Sequence, residues 1–158
     1  TRAARRAGVG PMAAVAGAVA EFVAGDLRAF SEDVIVENGG DIFLRTRKKR
    51  TLGIYAGEDS PFTGKIAIEV VPGEDGLGVC TSSGTVSHSL SFCTADAVVI
   101  ISKDAALADA AATAAGNVIK RPGDIGKGIE VARAIDGVSG VLAIAQDKMG
   151  SWGDIKLV

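Results

Sequence analysis

Aromatic residues make up only 4% of this 158-residue chain, so its core cannot be built on buried rings. Cysteine is as scarce. Cys80 and Cys93 have no metal-binding spacing and are too few for a disulfide scaffold, which points to a reducing, cytoplasmic setting. No apolar run approaches the roughly 18 residues that a membrane span needs. The segment Met12 to Phe22 is too short and wrongly flanked for a signal peptide. Neither sign of charge dominates: a formal net charge of -2 and a pI near 5.4 exclude a general attraction to nucleic acid or to anionic membranes. Partners must therefore be recognised at a site.

What the chain has in quantity is small residues. It carries 21 glycines and many alanines within a composition that is 47% hydrophobic, enough for one core formed by close backbone approach. A single domain over residues 1–158 is expected. The first residue is Thr1 rather than methionine, so an upstream segment is also expected. An N-terminal threonine could act as a nucleophile with its own amine as base, but truncation of the chain accounts for it more simply.

Gly10-Pro11 before MAAVAGAVAEFVAGDL reads as a helix start, since proline is tolerated in the first turn. DVIVENGGDIFLR alternates around Asn38-Gly39-Gly40-Asp41, a hairpin signal. TLGIYA and GKIAIEVV continue the strand pattern on either side of the turn cluster GEDSPFTG. Ala95 to Ser102 reads as a buried strand. KDAALADAAATAAGNVIK follows as a helix that Asp104 or Ser102 can cap and Pro122 stops. GDIGKGIEVARAI is a second amphipathic helix, GVLAIAQD a further strand and GDIKLV a last one. Strands grouped together with helices interspersed predict an α+β fold with a largely antiparallel sheet and packed helices.

Two places concentrate polar chemistry. The segment GVCTSSGTVSHSLSF packs Thr81, Ser82, Ser83, Gly84 and the chain's lone histidine, His88, into a short stretch. Its hydroxyls and successive N–H groups suit a phosphate, and equally suit a turn that bonds its own backbone. His88 titrates near neutrality and is a candidate general base, or a structural residue. A serine hydrolase remains a guess, because no Ser-His-Asp order can be defended. On the alanine-rich helix, Asp109 and Thr113 stand one turn apart on one face and offer the hard oxygens that Mg²⁺ prefers. Pattern alone favours a solvated helix face, but the neighbours are nearly all alanine, and a packed carboxylate needs a partner. Gly39 and Gly40 give a tight turn and let a ligand approach, with Asn38 or Asp41 as polar contacts. The basic run Arg45, Arg47, Lys48, Lys49 and Arg50 lacks interleaved aromatics and reads as a solvated turn protecting a sheet edge.

VENGGDIFL, GVCTSSGTVSHS, VVIISKDAALADAAATAAGN and GDIGKGIEVARAIDGVSGVLAI, in that order, resemble the ApbE superfamily of FAD:protein FMN transferases. The chain is similar, more closely, to an uncharacterised prokaryotic family allied to it. The resemblance implies an ApbE-like, T-fold-related core. It implies Asp109 and Thr113 as Mg²⁺ ligands, with a backbone carbonyl near Ala13 to Ala16 as a third. It places His88 near the reacting pyrophosphate, and Gly39, Gly40, Asp41, Ser82, Ser83 and Gly84 around the nucleotide. The implied activity is cleavage of FAD with transfer of FMN to a threonine hydroxyl of an acceptor protein. The alternative is a non-catalytic binding protein for a phosphorylated ligand that keeps the same fold. Homo-oligomerisation is left open.

Overall fold

The computed structural model describes residues 2–84 and 94–158. In chain order the elements are helix α1 (Arg2–Ala7), helix α2 (Val15–Leu27), and strands β1 (Val34–Asn38), β2 (Asp41–Thr46), β3 (Arg50–Gly53), β4 (Ala67–Val70), β5 (Gly73–Ser82) and β6 (Ala97–Ser102). Helices α3 (Ala105–Asn117) and α4 (Ile125–Arg133) and strands β7 (Val138–Ala145) and β8 (Lys148–Gly153) complete it. A six-stranded sheet runs β1-β2-β5-β6-β7-β8 with every neighbouring pair antiparallel, and β3-β4 form a separate two-stranded sheet. The result is an α+β fold in three layers: helices, the large sheet, and the small sheet.

Period-two alternation sorts the large sheet's side chains between the outer layers. On β6, Val98 and Ile100 face the helices, while Ala97, Val99 and Ile101 face a second cluster with Ile54, Ile68 and Val70. Every residue of β6 is buried, as its continuous apolar run predicts. Gly39 and Gly40, at φ 65° and 97°, close the two-residue turn between Asn38 and Asp41, the positive-φ geometry that matches hairpin twist.

Helix α3 lies at the centre of the helical layer and is buried almost all round. Its partly open positions are Ala106, Asp109, Thr113 and Asn117, a single stripe at helical spacing. Asp104 caps it, accepting from the Leu107 amide at 2.8 Å. Alanine and glycine let it sit directly on backbone: a Cβ on Gly78 of β5 would come 2.5 Å from the Ala105 Cα.

The structure corrects several expectations. α1 has no counterpart in the sequence reading. A 3-10 turn over Pro11–Ala14 precedes α2, which begins only at Val15. The Gly78 to Ser82 part of the serine-rich segment is not a turn but the end of β5. The last strand is β8, rich in glycine and polar residues, while Lys156 and Val158 instead bond along β4, at Glu69 and Ala67. The basic run behaves as a solvated turn, with Arg47, Lys48 and Lys49 paired to Glu74, Asp33 and Glu69. No helix is long and apolar enough to cross a membrane among the described residues.

Two stability outcomes follow from the backbone. Gly78→Ala forces α3 off β5 and should lower unfolding free energy by about 1–3 kcal/mol in denaturant titration. Gln146, first residue of the two-residue β7–β8 loop, holds φ 56°. Relief of that left-handed strain in Gln146→Gly should raise stability by about 0.5–1 kcal/mol in the same assay, and a loss would contradict it.

Candidate functional site

Helices α2 and α3 cap each other. The Asp109 carboxylate, on α3, accepts from the Gly17 amide at 3.0 Å and also from the Ala16 amide, the orphan donors of the first turn of α2. In return Glu21, on α2, accepts from the Ala105 amide at 2.8 Å at the start of α3. Contact this close requires glycine at position 17, where a Cβ would lie 2.3 Å from the Ala105 carbonyl oxygen and 2.9 Å from the Asp109 Cβ. The hairpin turn is tied to the same helix end by Asn38, whose Nδ2 donates to the Ala16 carbonyl at 3.2 Å. Asp41, opening β2, accepts from the Thr81 amide of β5 at 3.2 Å.

These ties enclose a cavity of about 340 Å³ lined by Met12, Ala13, Ala16, Asn38, Gly39, Asp41, Thr81, Ser82, Ser83, Asp109 and Thr113. The 3-10 turn, the hairpin, the end of β5 and the open stripe of α3 thus meet at one end of the large sheet. A second cavity of about 470 Å³ shares Gly39, Thr81 and Ser83 with it and continues past Gly40 toward β3.

The electrostatics of the first cavity are unbalanced. Burial pushes Asp41 up to about 7, the neighbouring Asp109 adding to the rise while the Cys80 thiol and Thr81 amide oppose it. Burial likewise pushes Asp109 up to about 6 against its two backbone N–H bonds. Cys80 is itself buried, and its thiol is pushed well up by desolvation and then by the two acids. No lysine, arginine or histidine lines the cavity among the described residues. The two desolvated carboxylates and the Thr113 hydroxyl, without a cationic side chain, are oxygens that could serve a hard divalent ion. Mg²⁺ characteristically takes one or two carboxylates and fills its octahedron with water and phosphate. No group of three or more histidine, cysteine or acidic side chains fit to hold a metal occurs among the described residues, so such an ion would depend on those added ligands.

Of the residues read from sequence, Ala13, Asn38, Gly39, Asp41, Thr81, Ser82, Ser83, Asp109 and Thr113 come together here. Gly40 lines the adjoining cavity instead. Gly84 lines neither; it lies just past the end of β5, and its amide donates to the Ala95 carbonyl at 3.0 Å. His88 and Cys93 lie outside the described residues. Sequence reading missed the helix-capping roles of Asp109 and Glu21, and missed that Asp41 stands beside Asp109. No spacing rule links residues so far apart in the chain, although Gly17 amid alanines was a signal of close helix contact.

The class of fold is that of the ApbE flavin transferases. The Pseudomonas stutzeri flavinyl transferase ApbE, in its apo form, superposes with a TM-score of 0.62 at 19% identity over 92% of this chain and 51% of its own. The flavin transferase ApbE from Vibrio cholerae gives 0.58 at 20% identity over 88% and 48%. A family model described as AbpE bacteria matches residues 1–141, and the chain belongs to that family. The UPF0280 protein of Methanoculleus marisnigri is 49% identical over 98% of this chain and 62% of its own length. That of Methanococcus aeolicus is 44% identical over 94% and 62%. This chain therefore spans less than two thirds of the curated relatives and about half of the solved transferases.

The raised acids fix a pH dependence. Each carboxyl is a stronger proton binder in the folded than in the unfolded chain, so the fold is favoured while they are protonated and penalised as they ionise. In metal-free buffer, stability should fall as pH rises from about 4 to about 7, by on the order of 2–4 kcal/mol. Asp41→Asn should flatten that slope in denaturant titrations, and an unchanged slope would show that the buried acids do not cause it.

Proposed function

We propose that the cavity binds Mg²⁺ with the diphosphate of a flavin nucleotide, and that the protein cleaves FAD, passing FMN to a hydroxyl of an acceptor protein and releasing AMP. The observation that carries this reading is the convergence of Asp41, Asp109 and Thr113 with Ser82, Ser83 and the Gly39 turn on one cavity without a cationic side chain among the described residues. The fold shared with proteins named flavin transferases supports it.

Asp41, Asp109 and Thr113 would hold the ion, whose bound charge offsets that developing on the phosphates. The Ser82 and Ser83 hydroxyls and the open backbone at Gly39 are suited to orient phosphate oxygens. In the transfer, the acceptor oxygen forms a bond to the phosphorus on the FMN side while the bond from that phosphorus to the bridging oxygen breaks. AMP departs with that oxygen. The acceptor proton passes to a base, the role we assign to His88. The bonds that commit Asp109 to the start of α2 are compatible with a second reading, in which a phosphorylated ligand is bound without turnover.

Chromatographic assay of AMP from FAD, with and without Mg²⁺, separates them. Asp109→Asn is preferred to Asp109→Ala because the amide keeps an acceptor for the Gly17 and Ala16 N–H groups. Transfer predicts Mg²⁺-dependent AMP release, reduced about 100-fold or more by Asp109→Asn and by His88→Ala. A Mg²⁺-dependent thermal shift with FAD but no AMP establishes the binding protein. Neither shift nor AMP discards the assignment.

A further inference from the structure

Helix α2 buries one face and leaves the other bare. Gly17, Ala20 and Ala24 are buried where the helix meets α3, β1 and β2, while Val15, Val19, Phe22, Val23 and Leu27 are all exposed, and Met12 and Phe30 extend that stripe beyond either end. This face carries half of the exposed large apolar side chains among the described residues, with Phe22 77% and Phe30 86% exposed. Together the seven side chains present roughly 700 Å² to solvent, more than the about 300–600 Å² of the largest apolar patch on an ordinary monomer and close to the about 800 Å² that each side of a stable interface buries.

The spacing of the stripe points to its occupant. Reflected about position 21, Met12 exchanges with Phe30, Val15 with Leu27 and Val19 with Val23, so the pattern reads alike from either end. Two antiparallel copies of α2 related by a twofold axis therefore set apolar side chains against apolar side chains along their length, the self-complementarity that a twofold interface demands. Phe22 stands one residue off the axis and needs a hole. The cleft beside it, about 760 Å³ and walled in part by Ala18, Gly25 and Phe43, supplies one. Asp26, the charge within the stripe, falls opposite Ala16 in this pairing, so the two Asp26 carboxylates stand roughly 15 Å apart along the helices and do not meet.

We propose that α2 is the contact between two copies of this chain, packed antiparallel about an axis near Phe22. The pairing does not depend on the first cavity being a cation site, but it bears on that cavity. Met12 belongs both to the stripe and to the cavity lining, so the partner's Phe30 comes to stand at the cavity rim.

Sedimentation velocity of the full chain at about 100 μM, where a dimer of micromolar Kd is largely assembled, is expected to give twice the 16.0 kDa mass. Phe22→Ser, at a position already exposed, should weaken the dimer about 30-fold or more with the circular dichroism spectrum unchanged, while Val71→Ser, exposed elsewhere, leaves it intact. Disulfide trapping in a Cys93→Ser background, Cys80 being buried, reads the orientation. Val15→Cys chains mixed with Leu27→Cys chains should cross-link to each other, and Val15→Cys chains alone should not. A monomer at that concentration overturns the proposal and gives the face to another occupant, a further stretch of a longer chain or a different protein. A dimer that Phe22→Ser leaves intact, or one that Val15→Cys alone can trap, overturns it as well.

Discussion

The carboxylate of Asp109 on the Gly17 and Ala16 amides is the contact on which the architecture turns. It ends a helix that has no capping side chain of its own, since Ala14 stands at the N-cap of α2. It also fixes how near α2 can come to α3, and that distance is what only glycine at position 17 permits. Because Glu21 returns the service at Ala105, the two helices are locked in register at both contacts. The sheet inherits that placement through Gly78, over which the start of α3 rests. A polar residue thus organises a helical layer otherwise made of alanine, where side-chain shape alone gives little basis for one register over another.

The same carboxylate cannot be regarded as free for ligand binding without cost. Two backbone donors stabilise its charge, yet burial outweighs them and its proton affinity stays raised. Asp41 sits in the same condition and is pushed further by its neighbour. A fold that accepts two desolvated acids side by side carries a penalty that the proposed cation would remove, so ion binding there would reinforce capping rather than compete with it. Whatever Asp109 offers the cavity is shared with its bonds to the α2 amides.

How much of this was legible in the residues differs by kind of interaction. Local signals read well: the Asn38-Gly39-Gly40-Asp41 turn, the Asp104 cap, the buried run of β6, and the Asp109–Thr113 stripe all follow from neighbours in sequence. β8 did not, because Gly150, Ser151 and Gly153 give it little strand propensity and its pairing with β7 decides its state. Nor did the end of β5 read as strand, since its serine and threonine favour turns locally while the ladder to β6 overrides them. In the site, the grouping of motifs came from their order along the chain. The pairing of Asp41 with Asp109 and the double duty of Asp109 are tertiary facts, invisible until β2 is laid beneath α2.

Position within the family-matched segment bears on how self-sufficient the corner is. Every group that could face a cation, from Ala13 through Asp41 to Thr113, lies inside residues 1–141. The ties that hold those groups, to Ala16, Gly17, Thr81 and Ala105, lie there too. The supports of the polar corner and of the adjoining cavity thus belong to the same stretch of this chain. Rigidity at this end of the sheet comes from backbone contacts that tolerate no added methyl, whereas the second cavity is bounded by exchangeable side chains such as Thr51 and Tyr55. Change in ligand preference among relatives is therefore expected to fall on the small-sheet side, with the helix side constrained by the packing that also holds the fold.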